Sequence, residues 1–230
     1  MKNKISKLIT IDKYWINTPE LFSEKYRKNL FKLLSPVNLF LLSRRKKVLE
    51  LSGNVKDKKI LDVGCGSGIF VMDFVKGGAK VFGIDYSQKM LDLAKKELDF
   101  YKIPKGKYVL KKADATNLPF RNNTFDLLLA TGLTDYLTDE QDQKFLKEAA
   151  RVLKQSGKLI VSFPVDKSPF AFVRSGLGLK IRQKFFKLPP IHNEFSREKI
   201  DSFLKNSGLR GEKHNKIFST MWIVVALLKK

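Results

Sequence analysis

Ile60 to Gly68 reads Ile-Leu-Asp-Val-Gly-Cys-Gly-Ser-Gly, an apolar strand running into a glycine-rich turn and then a helix. Glycines let the backbone turn tightly and approach a ligand, and the helix start offers unpaired N–H groups to polar atoms. A nucleotide-type ligand is implied. The next apolar run ends in Gly83-Ile84-Asp85-Tyr86-Ser87. A carboxylate at the end of a strand can accept hydrogen bonds from two vicinal hydroxyls. The glycine spacing is G-x-G-x-G: Gly68 comes one residue earlier than the dinucleotide pattern G-x-G-x-x-G requires, and Ile69 stands where that pattern needs its third glycine. No Gly-Lys-Ser/Thr follows, so this is not a Walker phosphate loop.

These residues need a frame to bring them together, and the chain supplies one. Short β-branched or apolar runs alternate with helical patterns from Lys58 onward, the signature of βα units and a parallel sheet. The pattern predicts strands at Lys59 to Val63, Lys80 to Ile84, Lys107 to Lys111, Phe125 to Ala130 and Lys158 to Phe163. Helices are expected near Gly68 to Lys76, Gln88 to Tyr101 and Asp139 to Lys154. The stretch Pro164 to Pro190 mixes Pro and Gly with aromatic and basic residues and reads as an insertion. Regular structure resumes with a Ser-capped helix, Ser196 to Asn206, then strands around Arg210 to Lys216 and Met221 to Leu228.

Leu61 to Gly68 resembles the first motif of the class I, Rossmann-like S-adenosylmethionine-dependent methyltransferases, of the general small-molecule kind. Asp85 matches the acid that in this family holds both ribose hydroxyls, and Lys112-Ala113-Asp114-Ala115 resembles the segment that binds adenine through the Asp side chain and the following amide. Phe125-Asp126 to Tyr136 resembles the fourth strand and the lip of the substrate pocket. The resemblance covers roughly residues 55 to 164, more loosely those after Phe195. It implies an α/β, doubly wound sheet, mostly parallel with an antiparallel last strand, helices on both faces, an N-terminal helical cap and a lid insertion. The domain layout it implies is a single unit: cap 1–55, cofactor core 56–164, lid 165–194, closing helix and strands 195–230. The implied cofactor is S-adenosyl-L-methionine, with S-adenosyl-L-homocysteine as product and no metal. The implied cofactor residues are Asp62, Gly64, Cys65, Gly66, Gly68, Asp85, Tyr86, Met90, Asp114, Ala115 and Thr131; Asp62 would meet the methionine amino group, and Cys65 would contribute its backbone. Candidates for a general base are Asp135, Tyr136 and His192.

The resemblance implies as acceptor an O, N or C atom of a small or amphiphilic molecule such as a quinone, porphyrin, lipid or glycan precursor; an RNA or protein methyltransferase, or an inactive binding protein, stays open as an alternative. No Asn-Pro-Pro-Tyr or Asp-Pro-Pro-Tyr tetrapeptide marks methylation of a base nitrogen. The net charge is +22 in 230 residues: Lys and Arg outnumber Asp and Glu by 10 over residues 1–59, by 3 over 60–164 and by 9 over 165–230. Such basic flanks favour anionic partners. Two segments join cations to apolar residues, Leu30 to Lys47 and Phe170 to Leu188. They are expected either to cap the core or to lie on an anionic membrane surface. One cysteine, Cys65, rules out an internal disulfide framework. No window approaches the roughly 18 apolar residues of a membrane span, and no signal-peptide core follows the basic start. A cytoplasmic protein, with peripheral membrane contact open, is the expectation.

Overall fold

Strand residues of opposite parity feed two separate cores. Leu61, Leu128, Leu159 and Val224 join one apolar cluster, while Ile60, Leu127, Ile160 and Ile223 join the other. A sheet that buries both faces needs helices on both. The structure, a computed structural model, describes residues 36–165 and 194–229. Its elements are α1 (Pro36–Ser52), β1 (Lys59–Val63), α2 (Ile69–Lys76), β2 (Lys80–Asp85), α3 (Gln88–Phe100), β3 (Tyr108–Lys112), β4 (Phe125–Ala130), α4 (Asp139–Val152), β5 (Leu153–Pro164), α5 (Arg197–Asn206), β6 (Leu209–Ile217) and β7 (Met221–Leu228).

The sheet order is β3-β2-β1-β4-β5-β7-β6. β1 to β5 pair in parallel, and β7 lies antiparallel between β5 and β6. Helices α4 and α5 cover one face, through Phe145, Leu146, Ala149, Ile200 and Leu204. The other face is covered by α1, α2 and α3, through Val48, Phe70, Val71, Phe74, Leu91 and Leu98. This is the expected doubly wound sheet with an antiparallel last strand.

Most elements lie within a residue or two of their expected bounds, and the largest difference is at the start of β5. Helix α4 stops at Val152, and β5 starts at Leu153 rather than Lys158, because Leu153 takes extended backbone and pairs with Phe125 before the register slips to Leu127 with Lys158. Leu153 is fully buried in the α4 face, so it fitted a helical period equally well. The strand expected at Lys107 to Lys111 begins one residue later, after a short 3-10 turn over Lys105–Lys107. The insertion leaves and rejoins the sheet at one place, since Val165 and Phe195 form a parallel bridge. Its interior, with His192 and the cations of Phe170 to Leu188, lies outside the described residues.

Helix starts carry the expected chemistry. Ser87 Oγ accepts from Met90 N at the start of α3, and Thr138 and Gln141 form a capping box at the start of α4. Gly68 caps α2 in left-handed backbone, φ 77°, and a Cβ there would sit 3.1 Å from Ala94 Cβ on α3. Gly68→Ala is therefore expected to cost about 1–3 kcal/mol of stability, through an unfavourable φ and the crowding of α2 against α3. Urea denaturation measures it, and an unchanged midpoint would show that the turn relaxes.

Candidate functional site

The glycine turn works because its alternate residues take left-handed backbone: φ is 71° at Gly64, 53° at Gly66 and 77° at Gly68. Only glycine adopts that conformation without strain, which is why the spacing is G-x-G-x-G. The amides of Gly64 and Cys65 both donate to Ile84 O, at 2.8 and 2.9 Å, so the turn folds over the end of β2. The Cys65 side chain is buried beneath it against Gly83, and burial pushes the thiol up. Cys65 thus offers the site its backbone.

The cleft beyond β1, β2 and β4 collects nearly all the expected residues. Asp62, Gly64, Cys65, Gly66, Asp85, Tyr86, Met90, Asp114, Ala115 and Thr131 line it, as do Asp135 and Tyr136. Gly68 stands outside the lining and shapes the turn. His192 is outside the described residues. Asp126, at the start of β4, is at the other end of the strand, where it accepts from Lys59 N at 2.8 Å and Lys154 Nζ at 2.7 Å.

Asp85 organises the cleft. Its Oδ2 accepts from Gly66 N at 3.0 Å and its Oδ1 from Ser87 N at 2.9 Å, so one carboxylate ties the glycine turn to the start of α3. Burial raises its pKa, while the amides of Ser87, Gly66 and Tyr86 pull it back. Each oxygen keeps acceptor capacity for a hydroxyl. Asp114 uses Oδ1 to accept from Thr116 N and Oγ1, both at 2.8 Å, closing an Asx turn that aims the residue at the cleft. Tyr86 is 44% exposed, with Lys112 Nζ 5.8 Å from its ring centre.

Asp62 is held far from the ordinary carboxylate range. Its side chain is 2% exposed, and Oδ2 has no hydrogen-bond partner among the described residues. Burial raises its pKa to about 8; the Asp85 and Asp73 carboxylates add to the rise and Arg44 opposes it. An orphaned buried carboxylate is costly, and it marks a place where a cationic ligand group would complete the site.

Arg44 is the residue that sequence reasoning missed. It stands in the basic run Arg44-Arg45-Lys46-Lys47, yet it lines the cleft from α1, with Nη1 3.5 Å from where a Gly132 Cβ would stand. Its Nε is buried and unpartnered among the described residues. The signal was helical spacing: Phe40, Arg44, Val48 and Ser52 recur every fourth residue, and Val48 and Ser52 are buried. Its neighbour Arg45 instead locks α1 to α2 through a two-pronged pair with Asp73. Leu133 and Leu137 complete the mouth beside Asp135 and Tyr136, on a loop held by Ser162, whose Oγ accepts from Gly132 N at 2.8 Å, and Gln141 joins them from the first turn of α4.

A methyltransferase-domain family matches residues 61–161. The chain is 35% identical over 121 residues to a demethylmenaquinone methyltransferase of Thermotoga maritima, covering 51% of this chain and 48% of that protein. It is 28% identical over 149 residues to a phosphatidylethanolamine N-methyltransferase of Cereibacter sphaeroides, covering 64% of this chain and 69% of the relative. The chain thus spans about half the length of the first relative. Among solved structures, magnesium protoporphyrin IX methyltransferase of Synechocystis with bound SAH superposes with a TM-score of 0.73 at 19% identity, covering 97% of this chain and 99% of that one. Residues 61–161 thus match a methyltransferase domain, carried on a doubly wound, mostly parallel sheet with an antiparallel last strand.

Proposed function

We propose that the protein transfers a methyl group from S-adenosylmethionine to an O, N or C atom of a small or amphiphilic acceptor. The observation that carries this reading is the pairing, in one cleft, of the buried, unpartnered Asp62 carboxylate with the Arg44 guanidinium. Those two charges suit the ammonium and carboxylate of an amino acid. Asp85 then serves the ribose hydroxyls, and Asp114 with the Ala115 amide serves the adenine. The cofactor supplies an electrophilic methyl on a sulfonium. The acceptor's lone pair forms the new bond as the carbon–sulfur bond breaks, and the electron pair returns to sulfur. Positioning and exclusion of water supply most of the acceleration, so a base is needed only for a weakly acidic hydroxyl or amine. Asp135 and Tyr136, at the mouth, are placed for that role.

The relatives' names support an amphiphilic acceptor, since they speak of demethylmenaquinone and phosphatidylethanolamine. Calorimetry with S-adenosylmethionine, S-adenosylhomocysteine and NAD tests the cofactor, and tighter NAD binding would refute it. Transfer of labelled methyl into lipid, small-molecule or RNA fractions of an extract then identifies the acceptor class. Label in RNA alone would favour a nucleic-acid enzyme, and binding without transfer to any fraction an inactive one. Arg44→Met is expected to weaken S-adenosylhomocysteine binding by about 1–3 kcal/mol, through loss of a charge-assisted contact to the carboxylate. Unchanged affinity would remove Arg44 from the cofactor cradle.

A further inference from the structure

We propose that the rim formed by the first turns of α1 and the tip of the β6–β7 hairpin docks on an anionic lipid bilayer. The solvent-facing stripe of α1 runs Leu39, Leu42, Lys46, Glu50, residues that recur at helical spacing and are all exposed. Leu39 is 43% exposed and Leu42 39%. The stripe is therefore apolar at one end of the helix and charged at the other. Which end lies near the cleft follows from the packing. Lys158, where β5 joins β4, donates from Nζ to Leu51 O at 2.6 Å, so the charged end of α1 lies at the far end of the sheet. Its apolar end lies at the cleft end.

The hairpin tip reaches the same end, because Met221 pairs with Pro164 at the end of β5. There Phe218 and Ser219 both take left-handed backbone, φ 47° and 52°, and Phe218 is 55% exposed. A bulky residue in that conformation is strained, and an exposed ring gains the fold little. Phe218 meets Phe40 of α1, ring centres 6.5 Å apart, so tip and helix form one rim. Lys46, one turn behind Leu42 on α1, and Lys216, two residues before Phe218 on β6, are both exposed.

Apolar side chains at the leading edge with cations behind them match the bilayer interface, where apolar groups enter the acyl boundary and Lys or Arg meets anionic head groups. The charge agrees: 19 of the 22 net positive charges lie outside residues 60–164. Among the described residues no helix is long and apolar enough to cross a membrane, so the contact is peripheral. Docked this way, the cleft opens toward the bilayer; delivery of an amphiphilic acceptor from the lipid phase rests on the methyltransferase reading, whereas docking does not.

The test is sedimentation of the full chain with phosphatidylcholine vesicles, with and without phosphatidylglycerol, at low and high salt. Wild type should sediment with the phosphatidylglycerol vesicles at low salt and lose binding as salt rises. Leu39→Gln/Leu42→Gln/Phe218→Asn should bind roughly tenfold or more weakly while its melting temperature and S-adenosylhomocysteine affinity hold. Asn is chosen because it tolerates left-handed backbone. Lys46→Gln/Lys216→Gln should reduce binding and flatten its salt dependence. No sedimentation of wild type, or equal sedimentation of the apolar triple variant, overturns the proposal. So does a lowered melting temperature of that variant, which would mean that the chain's own residues cover the rim, or a dimer lost in it without any vesicle binding, which would mean a second copy does. Vesicle binding without S-adenosylhomocysteine binding would support docking and sink the methyltransferase reading separately.

Discussion

Asp85→Ala is expected to lower the affinity for S-adenosylhomocysteine by about 2–4 kcal/mol, since charge-assisted hydrogen bonds to the ribose would be lost from a buried acceptor. The structure adds a second consequence. Because Asp85 also accepts from Gly66 N and Ser87 N, its removal leaves two amides of the turn and the α3 start without their partner. Stability should therefore fall too, by about 1–2 kcal/mol. Asp126→Ala is the control: its carboxyl, held below the usual range by the Lys154 ammonium and the Lys59 amide against the opposing effect of burial, ties strands together away from the cleft. That variant should lose stability and keep its affinity. Calorimetry with thermal melts on both proteins separates the effects, and an unchanged dissociation constant for Asp85→Ala would refute the ribose role.

Much of the site was legible because its constraints are local. The turn from Gly64 to Gly68 needs left-handed backbone at alternate positions, and that requirement is written directly into residue type. Asp85 ends β2, whose apolar run is short and bounded, whereas Asp114 follows the end of β3 by two residues and was marked by the resemblance of the segment Lys112 to Ala115. Arg44 was hidden because charge invited a surface reading, although the buried stripe of Val48 and Ser52 turns it inward. The early start of β5 was hidden because a buried leucine fits either period. Phe218 carried no signal at all: its exposure depends on a hairpin tip whose backbone belongs to tertiary pairing, not to the types of Phe218 and Ser219. The dual duty of Asp85 likewise appears only once β2, the glycine turn and α3 converge.

The pH dependence of cofactor affinity should reveal Asp62. In the ligand-free fold its carboxyl titrates near 8, against the ordinary 3.8, chiefly because it is buried. Between those values the folded chain holds a proton that the unfolded chain has released, so folding stability falls as pH rises through this window and levels off above about 8. Asp62→Asn removes a titrating group, and its stability should lose that part of the slope. A cationic ammonium placed against Asp62 favours the ionised form, so ligand binding must expel the proton below pH 8. Affinity for S-adenosylmethionine should then rise by up to about tenfold per pH unit from about pH 6 to 8 and flatten beyond. Proton release, read by calorimetry in buffers of different ionisation enthalpy, should follow the same curve. Arg44→Met, which removes a cation that opposes the rise, should move the bend to higher pH, whereas Asp62→Asn should bind weakly and lose the bend. A flat profile in wild type with no proton released would mean that Asp62 is already ionised, or lies outside the amino-acid cradle, and the charge pairing that supports the proposed function would fail.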